Sequence, residues 1–144
     1  MTETELLEKA IGIAVAAHRG QKDRNGAPYI LHPLRVMGRV TTTKEKIVAV
    51  LHDVVEDTDW TFDDLRQEGF SDEVLAALDR VTKREGEAYE DFVTRSGNQP
   101  LARRVKLADL EDNMDVRRLA KVSEEDGKRL ERYLTAWNRI KAME

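Results

Sequence analysis

Apolar residues recur three or four positions apart along most of this sequence, which is the spacing of one face of an α-helix. Thr2 and Glu5 form a capping-box pattern, and an apolar series then runs from residue 6 to about residue 18. Residues 20–28 interrupt it with glycines, an asparagine and a proline, which indicates a loop. The chain is therefore predicted to begin with one amphipathic helix followed by a loop.

A second helix is predicted from Pro33 to about Val40, because proline suits the first turn of a helix. This start places His32 at the mouth of the helix. After the short break at residues 41–43, a third helix is predicted at about 44–56. Its valines and isoleucines also favour a strand, but no second strand candidate is present to pair with it, so the helix is preferred.

The second half of the chain carries further helix starts. Thr61 and Ser71 begin two helices, a charged loop follows at residues 82–87, and a short helix is expected around 88–95. Asn98 and Pro100 begin the next helix, and Ser123 with Asp126 begins a final one whose apolar face includes Leu130, Tyr133, Leu134, Trp137 and Ile140. The sequence predicts an all-α bundle of about seven or eight helices in a single domain, residues 1–144.

Two polar residues stand out because they interrupt an apolar run. Residues 47–55 are apolar apart from His52 and Asp53, and a buried imidazole beside a buried carboxylate is costly unless each is paired or bound to a metal. In a continuous helix, His52 and Glu56 would share one line and Asp53 and Asp57 the next. In a strand, His52 and Asp53 would point to opposite faces. The alternative to a metal site is a satisfied buried pair.

The helix that begins at Pro100 carries a polar stripe of Lys106, Asp109 and Asn113. Together with two imidazoles it completes a candidate metal-ligand set, namely His32, His52, Asp53 and Asp109. Nitrogen and oxygen ligands of this kind suit manganese, iron, zinc or nickel. A divalent ion in such a set favours hydrolysis of a phosphoester or phosphoanhydride, because it acidifies water and neutralises phosphoryl oxygens.

Glu56 and Asp57 follow the candidate ligands by one turn. They are candidates for orienting or deprotonating the water, or for protonating the leaving group. The alternative is that they are solvated acids at a helix C-terminus, where negative charge is unfavourable.

Composition narrows the function further. The chain has no cysteine, so disulfides and thiolate metal sites are excluded, and its formal net charge of −4 argues against a general nucleic-acid binder. No apolar run is long enough to span a bilayer, and no signal-like segment is present, so we expect a cytoplasmic protein with a small-molecule substrate and without membrane partners. The sequence does not indicate an oligomeric state.

Several motifs in one order carry a family resemblance. They are Ala17-His18-Arg19-Gly20-Gln21, Pro28-Tyr29-Ile30-Leu31-His32-Pro33, Leu51-His52-Asp53-Val54-Val55-Glu56-Asp57-Thr58, and Val105-Lys106-Leu107-Ala108-Asp109 with Asn113-Met114. On these residues the sequence resembles the HD-family hydrolase domain of RelA/SpoT proteins, and more narrowly the stand-alone small alarmone hydrolases. The synthetase and regulatory domains of the long family members are not expected here.

This resemblance implies metal-dependent removal of the 3′-pyrophosphate of the alarmone (p)ppGpp. It implies one divalent ion, usually manganese, held by the four candidate ligands, with Glu56 and Asp57 in the acid/base and water-positioning roles. The substrate contacts expected are Lys22, Arg24, Lys106, Asn113, Arg129 and Tyr133. Two alternatives stay open: a hydrolase for another nucleotide, such as an adenine alarmone, a nucleoside monophosphate or a dinucleotide phosphate, and a binding module without turnover.

Two departures from the family pattern leave the base preference open. Asp23 stands where the family usually has an arginine that packs on guanine, so either Arg24 substitutes for that arginine or the preferred base differs. The acidic segment 110–115 replaces a pattern that usually contains arginine and histidine. Its carboxylates would repel a polyphosphate unless they point away or pair with cations such as Arg117 and Arg118.

Overall fold

Nine α-helices and no strand make up the computed structural model, which describes residues Met1–Glu144. Their bounds in chain order are α1 Glu3–Ala17, α2 Leu31–Gly38, α3 Thr43–Leu51, α4 Val54–Asp57, α5 Phe62–Gln67, α6 Asp72–Arg80, α7 Tyr89–Gly97, α8 Pro100–Asn113 and α9 Glu124–Lys141. A 3₁₀ turn, Val116–Arg118, lies between α8 and α9. The predicted all-α bundle is confirmed, with eight helices if α3 and α4 are counted as one.

Side chains that accept hydrogen bonds from the first-turn amides fix most helix starts. Complete capping boxes begin α1 at Thr2, α5 at Thr61 and α9 at Ser123, as the sequence predicts. α8 differs, because the side chain of Gln99 rather than Asn98 accepts from the amide of Ala102, at 2.6 Å. The local start signals in the sequence therefore place the helices correctly to within a residue or two.

The helix predicted at about 44–56 is wrong in one respect, because the chain breaks between α3 and α4 at His52 and Asp53. The last turn of α3 tightens, with the amide of His52 donating to the carbonyl of Ala49 at 3.4 Å. The His52 ring donates to the same carbonyl through Nδ1, at 2.6 Å. His52 and Asp53 stand at this break, and Asp53 Oδ2 lies 3.0 Å from His52 Nε2.

Two hydrophobic clusters meet at α8. The larger one joins α1, α2, α3, α4, α5, α6 and α8, and the smaller one joins α7, α8 and α9. α8 gives Val105 and Ala108 to the first cluster and Leu107 and Leu110 to the second. Its remaining face carries the polar stripe, so the stripe is held rigidly between two packed cores.

The apolar face predicted for α9 is only partly buried. Ile140 is buried and Tyr133 and Trp137 pack against the smaller cluster, whereas Leu134 is exposed. The reason is that α9 lies at the edge of the bundle and packs mainly on α7 and α8. None of the helices, α9 included, combines the length and apolar character that crossing a membrane requires.

Candidate active site

Three segments that are distant in sequence meet at one polar cluster. His32 comes from the first turn of α2, His52 from the end of α3, and Asp109 from α8. One ligand atom from each of these three residues lies within 4.8 Å of the other two, and all three residues are buried. Asp53 joins the group, with Oδ2 lying 3.0 Å from His52 Nε2 and 3.8 Å from His32 Nε2. The structure thus brings together all four predicted ligands.

The ring of His52 is oriented for a cation. Its Nδ1 lies 2.6 Å from the carbonyl oxygen of Ala49, so Nδ1 carries the proton and donates it there. Its Nε2 is buried without a hydrogen-bond partner, although carboxylate oxygens of Asp53 and Asp109 lie 3.0 and 3.3 Å away. A buried ring nitrogen that faces two carboxylates without a hydrogen bond to either is the arrangement that a shared cation satisfies.

His32 is held in the same way from its other side. Its Nδ1 lies 2.7 Å from Asp112 Oδ2, and its Nε2 lies 2.9 Å from Asp109 Oδ1. Each ring nitrogen faces a carboxylate, which raises the pKa of His32 against the opposing effect of burial. A cation next to Asp109 would take the place of the proton on Nε2, while Nδ1 would keep its proton and its contact to Asp112. Both histidines therefore present Nε2 to the same point, and the residues present fit a divalent metal ion.

The charge balance of the cluster depends on one lysine. Lys106 is buried, and its Nζ lies 3.1 Å from Asp109 Oδ2 and 4.6 Å from the centre of the Phe92 ring. Although burial alone would raise it, the pKa of Asp109 is held well below its usual value by Lys106 and His52. Burial would likewise lower the pKa of His52, but Asp53 and Asp109 raise it well above its usual value. Buried charges of opposite sign therefore lie next to each other in this cluster.

Tyr29 restrains the remaining candidate ligand. Its hydroxyl donates to Asp53 Oδ2 at 2.5 Å, and its ring lies 5.8 Å from that of His32 and 5.1 Å from that of His18. Burial and the Asp53 charge raise the pKa of Tyr29, so the hydroxyl stays protonated and remains a donor. This contact fixes one oxygen of Asp53 and leaves the other without a hydrogen bond.

Glu56 and Asp57 lie on the single turn of α4, and each is tethered differently. Glu56 Oε1 accepts from the backbone amide of Lys83 at 2.8 Å. The carbonyl of Asp57 accepts from Gln21 Nε2 at 3.1 Å, and Gln21 Oε1 in turn lies 2.8 Å from Nδ1 of the buried His18. Partial burial, with the charges of Asp53 and Glu56, raises the pKa of Asp57 to about 6.

One cavity of about 880 Å³ opens over the cluster. Every predicted site residue except Asp57 lines it, and the lining also includes cations that the sequence did not single out as contacts: Arg35, Arg118 and Lys121. Asn113 adds an amide that donates to Asp109 Oδ1 at 3.3 Å. Seven lysines and arginines line the cavity together with six acids, and Asp53 and Asp109 are two of these acids and belong to the metal-capable cluster. Cations placed around such a cluster suit a polyanionic ligand.

The two departures from the family pattern have structural explanations. Asp23 lines the cavity, but its Oδ1 accepts from the amides of Asn25 and Ala27, at 2.8 and 3.0 Å, so its carboxylate closes its own loop. Gly26 makes this turn possible with a φ of +84°. Within the acidic segment, Glu111 accepts from Trp137 and Asp115 pairs with Arg117, so both acids are occupied.

Asp112 and Tyr29 are the residues that sequence reasoning missed. Asp112 is fully buried against His32, yet it looks like part of a solvated acidic run. The signal that could have found it is its position three residues after Asp109, which places both on one side of α8. Tyr29 stands three residues before His32, in a motif that the sequence reading used only for its histidine.

The chain is similar over most of its length to known proteins, although no protein-family model matches it. It is 34% identical over 135 residues to a GTP pyrophosphokinase of Streptomyces coelicolor, an alignment that covers 85% of this chain and 16% of that protein. It is 32% identical over 122 residues to a guanosine-3′,5′-bis(diphosphate) 3′-pyrophosphohydrolase of Aquifex aeolicus, covering 76% of this chain and 17% of that protein. The chain belongs to the RelA/SpoT family.

A solved structure agrees with this assignment at the level of the fold. A metazoan SpoT ortholog, described as hydrolysing ppGpp, superposes with a TM-score of 0.77 at 23% identity, covering 94% of this chain and 84% of that one. The HD-domain bundle predicted from the motifs is therefore confirmed. The RelA/SpoT relatives from S. coelicolor and A. aeolicus are much longer, and this chain spans only about one sixth of their length.

Proposed function

We propose that this chain is a metal-dependent phosphohydrolase that removes the 3′-pyrophosphate of (p)ppGpp, giving GDP or GTP and pyrophosphate. The observation that carries the proposal is the convergence of His32 Nε2, His52 Nε2 and Asp109 within 4.8 Å on the wall of a cavity that seven lysines and arginines also line. A guanosine-3′,5′-bis(diphosphate) 3′-pyrophosphohydrolase among the relatives supports this substrate. We propose a single hydrolase domain; its cytoplasmic location stays a prediction.

The proposed cofactor is one divalent ion, Mn²⁺ in the first instance. It would be held by His32, His52, Asp53 and Asp109. Bound there, it would acidify a water molecule and neutralise charge on the phosphoryl oxygens. Lys106 and Tyr29 hold the two carboxylates of the set in place, at 3.1 and 2.5 Å.

In the reaction, a water oxygen forms a bond to the phosphorus that is attached to the ribose 3′ oxygen, and the bond from that phosphorus to the 3′ oxygen breaks. A carboxylate must accept a proton from the water, and the departing 3′ oxygen must gain one. Asp57, whose pKa is raised to about 6, is proposed to exchange protons here, and because its own side chain does not line the cavity, the transfer would pass through a water molecule. Glu56, fixed through Oε1 by the amide of Lys83, keeps its second oxygen for orienting the water.

The cations of the cavity wall would bind the phosphates. Arg129 pairs with Asp126 at 2.9 Å and lines the cavity beside Tyr133 and Lys121. On the loop before α2, Lys22 and Arg24 are exposed and line the same space. Because phosphate oxygens bind to guanidinium and ammonium groups through charge-assisted hydrogen bonds, these cations support a nucleotide that carries several phosphates.

The loop geometry favours a second candidate substrate, another nucleotide with a different base. Position 23 holds an aspartate that closes its loop, so it offers no planar guanidinium to a base. Arg24 is the remaining group on this loop that could stack on a base. The proposal for (p)ppGpp therefore includes Arg24 as the stacking residue, and an adenine alarmone is the alternative.

Incubation of the purified protein with Mn²⁺ and a panel of nucleotides tests the proposal. We expect pyrophosphate release from ppGpp, its loss in Asp53→Ala, and its retention in Asp59→Ala, which changes an exposed aspartate on the same segment. Release of orthophosphate alone from other nucleotides, with ppGpp left intact, would refute it. Tight binding of ppGpp without turnover would instead identify the chain as a binding module.

A further inference from the structure

Asp112 connects the metal-capable cluster to the wall of the cavity. Its side chain is fully buried and its two oxygens bind different partners: Oδ2 lies 2.7 Å from His32 Nδ1, and Oδ1 lies 2.8 Å from Arg35 Nε. Arg39 and Arg118 approach the same Oδ1 to 3.6 Å, and Arg118 also donates to the backbone carbonyl of Asp112 at 3.0 Å. A carboxylate so far from solvent is tolerated only because each oxygen is paired.

The contact to His32 has a specific geometry. Asp112 follows Asp109 by three residues on α8, and the two carboxylates bind the two opposite nitrogens of one imidazole, at 2.7 and 2.9 Å. One helix therefore clamps the ring from both sides and leaves it no freedom to rotate. Donation from Nδ1 to Asp112 also selects the tautomer in which Nε2 faces the cluster.

The cationic side of Asp112 points to the proposed substrate space. Arg35 and Arg118 both line the cavity, and both contact Oδ1. Their positive charges offset the Asp112 charge, which would otherwise lie close to the phosphates of a nucleotide. The Asp112 carboxylate can thus hold His32 in place without repelling a nucleotide bound in the cavity.

We propose that Asp112 is a positioning residue that orients His32 for metal binding, and that Arg35 and Arg118 hold it in place. The inference rests on the metal site of the proposed function. A carboxylate that accepts from the distal nitrogen of a metal-bound histidine typically changes metal affinity by about 10- to 100-fold. A purely structural link between α2 and α8 would leave metal affinity unchanged.

Mn²⁺ titration by calorimetry, without nucleotide, separates these readings. We expect Asp112→Ala to bind Mn²⁺ roughly 10- to 100-fold more weakly than the wild type. Asp112→Asn, which keeps the shape and one acceptor for His32, should fold normally and weaken binding by about tenfold. The control is Glu111→Gln on the same helix, whose side chain still accepts from Trp137 and should leave the affinity unchanged.

The absorption spectrum of the Co²⁺-loaded protein gives a readout of ligand geometry, independent of both stability and catalysis. The bands should shift in both Asp112 variants and stay in place in the Glu111 control. Wild-type affinity and an unshifted spectrum in folded Asp112→Asn would overturn the positioning role while leaving the metal site intact. Failure of the wild type to bind Mn²⁺ or Co²⁺ would overturn the metal site itself, and the role of Asp112 with it.

Discussion

Replacing Lys106 by methionine tests how the charge of the cluster is balanced. Methionine keeps an unbranched stem on the Phe92 ring but removes the ammonium group that lies 3.1 Å from Asp109 Oδ2. At an effective dielectric constant of about 20, two unit charges at this separation attract by roughly 5 kcal/mol. His32 and His52 still face Asp109, so we expect a loss of roughly 3 kcal/mol in the free energy of unfolding, at the lower end for a broken buried pair.

The same substitution should act in the opposite direction on metal binding. Lys106 repels a cation in the cluster, so its removal should tighten Mn²⁺ binding by about tenfold, which is about 1.4 kcal/mol of extra stabilisation at saturating Mn²⁺. Urea unfolding in EDTA and in Mn²⁺ measures both effects. The variant should recover about half of its deficit when Mn²⁺ is added.

Lys46→Met provides the control for this experiment. Lys46 donates to the carbonyls of Met37 and Val40, at 3.1 and 2.7 Å, and does not line the cavity. The Lys46→Met variant should lose the same free energy of unfolding in EDTA and in Mn²⁺. An equal deficit in both buffers for Lys106→Met would refute the reasoning, because Lys106 would then be an ordinary structural lysine.

Three further substitutions have defined outcomes. Glu56→Gln keeps an acceptor for the Lys83 amide, so Mn²⁺ affinity should be retained while turnover falls by roughly 10²- to 10⁴-fold in steady-state assays. Asp57→Asn removes a carboxyl whose pKa is raised to about 6, above its unfolded value. Ionisation of Asp57 therefore disfavours the folded state of the wild type. In thermal melts with EDTA, the variant should be more stable than the wild type above pH 6, by less than about 1 kcal/mol after solvent screening. Below pH 4 the two proteins should be equally stable. Leu51→Ala empties a fully buried position and should lower the free energy of unfolding by about 2–5 kcal/mol, seen as a lower urea midpoint with unchanged slope.

Each of these outcomes can fail in a recognisable way. Full turnover in Glu56→Gln would remove Glu56 from the mechanism. A stability difference for Asp57→Asn that does not depend on pH would mean that its effect is not electrostatic. A loss below about 1 kcal/mol for Leu51→Ala would mean that the core refills the space left by the leucine.

The sequence predicts those parts of the fold that depend on neighbours along the chain. The capping boxes at Thr2, Thr61 and Ser123 involve residues three positions apart, so they can be read directly. The break at His52 cannot be predicted in this way, because the periodicity of the sequence does not reveal that the His52 ring binds the carbonyl of Ala49. The apolar pattern continues through the break and favours one helix.

The site was predicted as a set of residue types and not as an arrangement. The four candidate ligands could be chosen because buried imidazoles and carboxylates require compensation wherever they lie. The partner of His32 could not, since Asp112 is 80 residues away in sequence and only the docking of α2 on α8 brings it to 2.7 Å. For the same reason, the tie between Gln21 and the carbonyl of Asp57 is visible only in the folded chain.

The break between α3 and α4 also separates two parts of the site whose backbone amides should exchange with solvent at different rates. Residues 48–51 at the end of α3 are completely inaccessible to solvent, so their amides should exchange with deuterium only when the whole domain unfolds. α4 is a single turn whose Val54 is buried in the larger cluster, whereas Glu56 and Asp57 at its other end are exposed and contact two loops. The amides of Glu56 and Asp57 should therefore exchange through local opening. The two carboxylates proposed to handle protons can therefore move aside, for example to release product, while the residues proposed to hold the ion keep their places.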